Sequence, residues 1–159
     1  MEMLKEIEKN DKNLPWQYAG MASLESFTSF DEWLDKINKE SEGEDLLPNR
    51  VPASTYVLAS DDQVVGIYNI RHELNYYLLN YGGHIGYSIN PKMRQKGYRT
   101  KGLELALREC EKMGINKVLI TCNVKNIASA RVIEKCRGKL ENIIIDKNGN
   151  ELKRYWIDN

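Results

Sequence analysis

Apolar side chains recur every three or four positions in an early segment of the chain, at Phe27, Phe30, Trp33, Leu34 and Ile37. This spacing places them on one face of a helix, and Asp31 is a candidate to cap the segment DEWLDKINKE. Residues 1–50 as a whole are polar and helical in pattern. The acidic stretch ESEGEDLLPNRVP, which follows the periodic segment, predicts an exposed loop.

The pattern changes after residue 54 to short β-rich runs. STYVLAS and QVVGIYNI flank the turn-forming pair Asp61–Asp62, which predicts a β-hairpin. HELNYYLLNYGG is ambiguous, and a short helix ended by Gly82–Gly83 is one interpretation. HIGYSIN then alternates between apolar and polar positions. One face of this predicted strand carries Ile85, Tyr87 and Ile89.

The last third of the chain alternates between helices and strands. LELALRECEKMG has an apolar helical face and ends at Gly114, a residue type that terminates helices. KVLITC is a continuous apolar run, typical of a strand covered on both faces. Asn126 is placed to cap IASARVIEKC, and Asn148–Gly149 predicts a hairpin between the last two strands. The strand–helix–strand unit predicts a right-handed parallel crossover, so we expect an α/β (α+β) fold with a mixed sheet.

Composition narrows the class of protein. The 159 residues fit one domain, and 23 basic residues balance 23 acidic ones. This balance argues against a general binder of nucleic acids or membrane surfaces. Three widely spaced cysteines form no CxxC pair, so we expect neither a metal site nor disulfides. The charged segment MEMLKEIEKNDKN does not resemble a signal peptide, and no apolar run could span a bilayer, so we expect a cytoplasmic protein.

The segment NPKMRQKGYRTKG, residues 90–102, concentrates positive charge between a predicted strand and a predicted helix. A helix start leaves backbone N–H groups without partners and adds positive potential. Gly97 allows a ligand to approach the backbone, and the surrounding basic side chains are Arg94, Lys96, Arg99 and Lys101. The P-loop and GxGxxG patterns are both absent. The residues alone predict a phosphate or pyrophosphate site, with a solvated helix start as the alternative.

From about Ser54 to its end, the chain resembles the GNAT superfamily of acetyl-CoA-dependent N-acetyltransferases. The family signature Arg/Gln-x-x-Gly-x-Gly/Ala reads here as residues 94–99, and the segments GGHIGYSINP, LITCNVKNIASARVIEK and RYWI resemble one bacterial branch. The resemblance implies a mixed, mostly antiparallel sheet with a central parallel strand pair, flanked by helices. Residues 1–159 would form a single domain, with a helical part at 1–50 and an acetyl-CoA-binding core at 54–159.

The resemblance also implies acetyl-CoA as the cofactor. Backbone amides of the signature would bind its pyrophosphate, and the preceding strand would pair with its pantetheine arm. That strand would diverge from KVLITC, and the thioester would lie in the wedge between them. The cofactor-binding residues implied in this way are Tyr87, Ser88, Ile89, Arg94, Gln95, Lys96, Gly97, Tyr98, Arg99, Thr100, Asn126 and Ser129.

Two positions depart from the family pattern. Arg99 stands where Gly or Ala is usual, so its side chain must point away from the phosphates or fold back as a further ligand. Ile133 stands where many members have a tyrosine that protonates the departing thiolate. Candidates for catalytic proton transfer therefore come from residue type and position, and they are His72 and Glu73 after a predicted strand and Tyr155 in RYWI.

The sequence thus predicts a transferase that moves an acetyl group from acetyl-CoA to a primary amine of a small molecule or peptide by direct attack. One alternative is a non-catalytic acetyl-CoA-binding module of the same fold, suggested by Arg99 and Ile133. Another is an unrelated phosphate-binding protein, which only the basic segment supports. We expect no nucleic-acid, membrane or metal partner, and a homodimer through the terminal hairpin stays open.

Overall fold

The computed structural model describes the chain from Met1 to Asn159. The strands are β1 (Ala53–Ser60), β2 (Gln63–Arg71), β3 (Ile85–Ile89), β4 (Lys117–Asn123), β5 (Lys139–Ile145) and β6 (Glu151–Asp158). The α-helices are α1 (Glu2–Asn10), α2 (Phe30–Glu42), α3 (Tyr98–Lys112) and α4 (Ile127–Lys135). Short 3-10 turns lie at Leu24–Ser26 and Pro91–Met93, and a π-helical turn spans Leu78–Gly82.

The strands form two three-stranded antiparallel sheets, in the orders β1-β2-β3 and β4-β6-β5. The sheets meet where β3 and β4 begin. There the His84 N–H donates to the Leu119 carbonyl at 2.7 Å, and the Leu119 N–H donates to His84 Nδ1 at 2.9 Å. No strand ladder continues from this point. Helix α3 connects β3 to β4, and no ladder pairs the two strands, so they separate toward Ile89 and Asn123.

Helices cover both faces of this arrangement. One apolar cluster packs α3 and α4 against the strands, and the other packs α1 and α2 against β2. The alternation along β2 separates the clusters, because Ile67 belongs to the α1/α2 cluster and Tyr68 and Ile70 belong to the α3/α4 cluster. The α+β arrangement of antiparallel sheets flanked by helices agrees with the fold class predicted from the sequence, although β3 and β4 form no parallel ladder.

Several local predictions are confirmed. The pair Asp61–Asp62 adopts positive φ between β1 and β2, and residues 146–150 connect β5 to β6 as a hairpin. The Asn126 side chain accepts from the Ser129 N–H at 3.2 Å and so caps α4. These predictions hold because each rests on contacts between residues close together in the sequence.

One predicted cap is wrong. Helix α2 begins after Ser29, whose Oγ accepts from the Glu32 N–H at 3.4 Å, and Asp31 already lies inside the first turn. Ser29 has the extended backbone that a capping residue requires. The ambiguous segment before β3 contains the π-helical turn, which ends at Gly82 as one interpretation expected. None of the helices is long and apolar enough to cross a lipid bilayer.

Candidate functional site

A cavity of about 390 Å³ opens where β3 and β4 diverge. Its walls come from both strands, from the starts of α3 and α4, and from the connection between α1 and α2. The charged side chains that line it are three cations and one carboxylate, namely Arg94, Arg99, Lys125 and Asp11. This excess of positive charge favours an anionic ligand.

The turn that leads into α3, here called the basic turn (residues 94–99), presents free backbone donors. No backbone N–H from Gln95 to Thr100 donates to another atom of the chain. Gln95 and Gly97 have φ values of 61° and 81°, and left-handed residues within such a turn curve successive amides into an anion-binding concavity. A Cβ on Gly97 would meet no protein atom within 4 Å, so the space in front of these amides is open.

The edge of β3 that faces the cavity also has unpaired backbone groups. The Arg71 N–H donates to the His84 carbonyl, and the Asn90 N–H donates to the Val65 carbonyl. Because hydrogen-bonded pairs alternate along an antiparallel ladder, the even-numbered residues of β3 direct their backbone groups toward β2. The residues whose backbone groups point instead toward β4 and the cavity are Ile85, Tyr87 and Ile89. An extended ligand can pair with this edge as an added strand.

A buried tyrosine fixes the position of the basic turn. The Tyr68 hydroxyl donates to the Arg99 carbonyl at 3.0 Å, and the Tyr68 ring stacks on Tyr87 with centroids 5.2 Å apart. A Cβ on Gly102 would lie 2.3 Å from the Tyr68 hydroxyl oxygen, so only glycine fits at this helix position. The contact of Tyr68 with Gly102 was not predictable from the sequence, because it joins strand β2 to helix α3.

Two hydroxyl groups meet in the wall of the cavity. The Tyr87 hydroxyl and Ser129 Oγ lie 2.8 Å apart, and both residues line the cavity. Burial raises the pKa of Tyr87 to about 12. Burial also raises the pKa of the nearby Cys122 thiol to about 11, so this cysteine stays protonated and is a poor nucleophile at neutral pH.

Arg94 joins the basic turn to the α1–α2 connection. Its guanidinium donates to both carboxylate oxygens of Asp11, with an Nη1–Oδ1 distance of 2.8 Å, and its Nε donates to the Ile89 carbonyl at 3.3 Å. Asp11 is buried although it follows a surface helix. The Arg94 side chain is therefore fixed by Asp11, whereas Arg99 lines the cavity without a carboxylate partner.

The opposite wall comes from the connection after α1, here called the Trp16 loop (residues 11–23). Leu14, Trp16 and Ala19 line the cavity, and Ser88 Oγ on β3 donates to the Ala19 carbonyl at 2.6 Å. Gly20 packs on β3 so closely that a Cβ there would lie 2.2 Å from the Gly86 carbonyl carbon. The loop residues Leu14, Trp16, Ala19 and Gly20 were not predictable from the sequence, because no motif marks the N-terminal 50 positions.

The three catalytic candidates named from the sequence lie apart from this cavity. His72 Nε2 lies 2.8 Å from Ser54 Oγ, and Glu73 is exposed in the segment after β2. The Tyr155 hydroxyl donates to Glu134 Oε1 at 2.8 Å, and burial and Glu134 both raise its pKa. None of the three lines the cavity, and their catalytic roles stay predictions.

Two other positions are explained by packing. His84 is buried between β3 and β4, and burial lowers its pKa to about 4, so the ring is neutral and Nδ1 accepts the Leu119 N–H. Ile133 is fully buried in the α3/α4 cluster and does not line the cavity. No group of three or more His, Cys, Asp or Glu side chains is arranged to hold a metal ion.

Comparison with known proteins identifies the family. A family model described as an acetyltransferase (GNAT) domain matches residues 7–139. No curated protein matches the sequence at a significant level.

Solved structures with the same fold include three acetyltransferases. RimL, a ribosomal L7/L12 alpha-N-protein acetyltransferase in complex with coenzyme A, has 18% identity and a TM-score of 0.69, covering 99% of this chain and 85% of that one. A spermidine N-acetyltransferase SpeG chimera from Vibrio cholerae and hSSAT has 19% identity and a TM-score of 0.60, covering 82% and 77%. The putative acetyltransferase yncA from Salmonella typhimurium, solved with acetyl-CoA, has 13% identity and a TM-score of 0.58, covering 80% and 72%. At these identities the likenesses show the fold.

Proposed function

Because this chain belongs to the GNAT acetyltransferase family, we propose that it moves an acetyl group from acetyl-CoA to a primary amine of a small molecule or peptide by direct attack. The observation that carries this proposal is the run of free amides from Gln95 to Thr100 at the edge of a cavity between diverging strands. A phosphate-binding turn alone is compatible with many ligands. The adjacent free edge of β3 adds a site for an extended arm, which fits coenzyme A.

The residues present fit acetyl-CoA at each of its parts. The amides of the basic turn would hold the pyrophosphate, with Arg99 and Lys125 supplying charge at the cavity wall. The Tyr87 and Ile89 backbone groups would pair with the pantetheine arm. Ser88 would contribute to the wall on the side of the Trp16 loop, since its hydroxyl is bound to the Ala19 carbonyl. When bound, acetyl-CoA supplies the thioester carbonyl that the amine attacks.

Backbone groups of β3 would stabilise the negative charge that develops on the carbonyl oxygen. The amides of Tyr87 and Ile89 point toward the cavity, whereas the Ser88 amide faces β2. A fixed donor of this kind acts at the place where charge develops and requires no rearrangement. Leu14 and Trp16 would limit water at the same position.

The proton that the departing sulfur requires would come from the pair of hydroxyl groups at Tyr87 and Ser129. Ile133 cannot supply it, because that side chain is apolar and lies in the core. The two hydroxyls are 2.8 Å apart and line the cavity. One hydroxyl can therefore donate its proton to the sulfur while the other hydroxyl donates a proton to the first. His72 and Glu73 stay candidates for accepting the amine proton through water, and Tyr155 stays a weaker candidate for the acid.

Acetyl transfer to a panel of amines, together with calorimetric binding of coenzyme A, tests the proposal. The wild-type chain should bind coenzyme A and acetylate at least one amine. The variants Tyr87→Phe and Ser129→Ala should each lower kcat by about tenfold to a hundredfold, with binding of coenzyme A largely kept. His72→Asn and Glu73→Gln form the parallel set, and a larger loss of kcat in that set would move the catalytic role to those residues.

Coenzyme A binding without transfer to any amine would instead indicate the non-catalytic binding module. Absence of binding would contradict the proposal for the cofactor itself. Binding of ATP in place of coenzyme A would indicate the unrelated phosphate-binding protein.

A further inference from the structure

On the Trp16-loop side of the cavity, one guanidinium has no partner in the protein. Arg71 ends β2, and its two terminal nitrogens lie 3.0 and 3.2 Å from the position that a Cβ would take on Gly86. Gly86 lines the cavity, and the backbone nitrogen of Gly20 lies 3.1 Å from the same position. The guanidinium therefore lies over the middle of β3, on the face that the Trp16 loop covers.

The absence of an ion pair distinguishes Arg71 from Arg94 and Arg154, and Arg71 shares this feature with Arg99 at the basic turn. Arg94 donates to Asp11, and the buried Arg154 donates to Glu141 and Asn142. Arg71 is half-buried as well, yet its side chain makes no ion pair and no hydrogen bond. None of the Arg71 nitrogens is both shielded from solvent and unpaired, so its unused donors are free to bind an anion.

The surroundings of Arg71 also favour an anion. Burial, with a further contribution from the positive charge of Arg50, lowers the pKa of Arg71 to about 10, which leaves the group charged at neutral pH. The carboxylate that contributes to its pKa, Glu40, already forms an ion pair with Lys36 at 2.8 Å. Tyr77 lies close enough to contribute as well, and its exposed ring can face a ligand.

We propose that Arg71 is a specificity-determining residue that binds an anionic group of the acceptor, so that the substrate is an amine that also carries a carboxylate. This inference rests on the proposed acetyl transfer. An acceptor on the Trp16-loop face would direct its amine through the gap between β3 and β4 and leave its carboxylate at Arg71. A planar guanidinium with two free edges matches a carboxylate in a bidentate arrangement.

The carboxylate can come from a free amino acid or from an acidic residue at the start of a peptide. Both present the same chemistry to Arg71, and the two sources differ in the distance between the amine and the carboxylate. Polyamines lack the group entirely. Spermidine, named in one structural neighbour, carries only positive charge and would be repelled by Arg71 and Arg50.

The test compares each amino acid, and each peptide that begins with an acidic residue, with the same molecule in which the carboxylate is a carboxamide. Each amino acid is also compared with its decarboxylated amine. The wild-type chain should acetylate the acids with a kcat/KM at least about tenfold above the carboxamides, and spermidine should be a poor substrate. In Arg71→Gln this ratio should fall close to one, mainly through KM. Arg71→Lys should keep part of the preference, and Arg108→Gln, an exposed arginine on α3, should keep all of it.

Coenzyme A binding, measured on the same samples, separates the two proposals. If coenzyme A binds and amines are acetylated without preference for the acids, the role of Arg71 is wrong and acetyl transfer stands. If the preference persists in Arg71→Gln, another group binds the anion and the inference is again wrong. If coenzyme A does not bind at all, the proposed function itself fails. Should Arg71→Gln unfold, Arg71→Lys and the charge series of acceptors still give the ratio.

Discussion

The two walls of the cavity are built by different means. On the basic-turn side, the free hydrogen-bond donors are mostly backbone amides, and one short segment from Gln95 to Thr100 supplies them. On the Trp16-loop side, side chains from distant parts of the chain meet, with Leu14 and Trp16 facing the cavity and Arg71 lying over Gly86. Backbone geometry encoded in a few consecutive residues can be recognised in a sequence, whereas a wall made by tertiary contacts cannot.

The difference extends to what each wall can recognise. Backbone amides offer the same donors whatever side chains surround them, which suits a cofactor common to a whole family. Side chains such as Trp16 and Arg71 can be exchanged without changing the strand or the turn beneath them, which suits a substrate that differs between family members. The ion pair between Arg94 and Asp11 connects the two walls.

Disrupting the packing of the Trp16 loop on β3 should have the largest effect on the free energy of unfolding. Gly20 has a φ of 72°, and a Cβ there would lie 2.2 Å from backbone atoms of Gly86. Gly20→Ala should therefore lower the free energy of unfolding by about 3–4 kcal/mol, from the collision and from the left-handed backbone together. If the variant stays folded, its KM for the amine should rise more than its Kd for coenzyme A.

Gly43 provides the matched control for that variant. Its φ of 77° is similar, but a Cβ there would be 3.5 Å from its nearest neighbour, Pro52. Gly43→Ala should cost only the backbone contribution, about 1 kcal/mol. Equal destabilisation by both variants, measured by denaturant unfolding, would mean that the Trp16 loop does not pack on β3 as described.

Acid should destabilise the contact between β3 and β4 at His84, where the two strands meet. His84 is buried with a pKa lowered to about 4, while the unfolded chain binds a proton at its ordinary value near 6.5. The unfolded state thus takes up the proton first as pH falls. The contribution of His84 to the free energy of unfolding is fully present above pH 6.5. It is lost as the pH falls from 6.5 to 4, by roughly 3 kcal/mol in total.

Comparing the pH dependence of unfolding in the wild type and in His84→Asn isolates this contribution. Asn can accept the Leu119 N–H in place of Nδ1 but does not titrate in this range. The difference in stability between the two proteins should shrink as pH falls from 6.5 to 4. A constant difference across that range would show that His84 is protonated in the folded state as easily as in the unfolded one.

The sequence was informative where contacts are local. The glycine of the basic turn, the Asn126 cap and the Asn148–Gly149 hairpin each depend on residues a few positions apart, and the family signature added the ligand class. The partner of Arg94 was not predictable, because Asp11 lies 83 residues away. The same holds for the contact between Tyr68 and Gly102, which depends on how α3 crosses β2.

Residue type alone does not locate a catalytic group, because the surroundings of a side chain cannot be read from the sequence. Histidine titrates near neutral pH, which suggests a general base. The position of His72 after a predicted strand made it the candidate. The structure shows a hydrogen-bond partner for each histidine, Ser54 for His72 and Leu119 for His84, and the catalytic role of His72 stays a prediction. The hydroxyl pair of Tyr87 and Ser129 became a catalytic candidate only when the fold placed a strand and a helix at hydrogen-bonding distance.

The most direct test of the basic turn compares two glycines by calorimetric titration of coenzyme A. Gly97 and Gly149 share a φ of 81°, and a Cβ on either would meet no protein atom within 4 Å. Replacing each by Ala should therefore cost the fold equally. Gly97→Ala should weaken coenzyme A binding by about tenfold or more, since its Cβ would occupy the space of the ligand, and Gly149→Ala should bind like the wild type. Equal affinity in the two variants, or no binding by the wild type, would contradict the account.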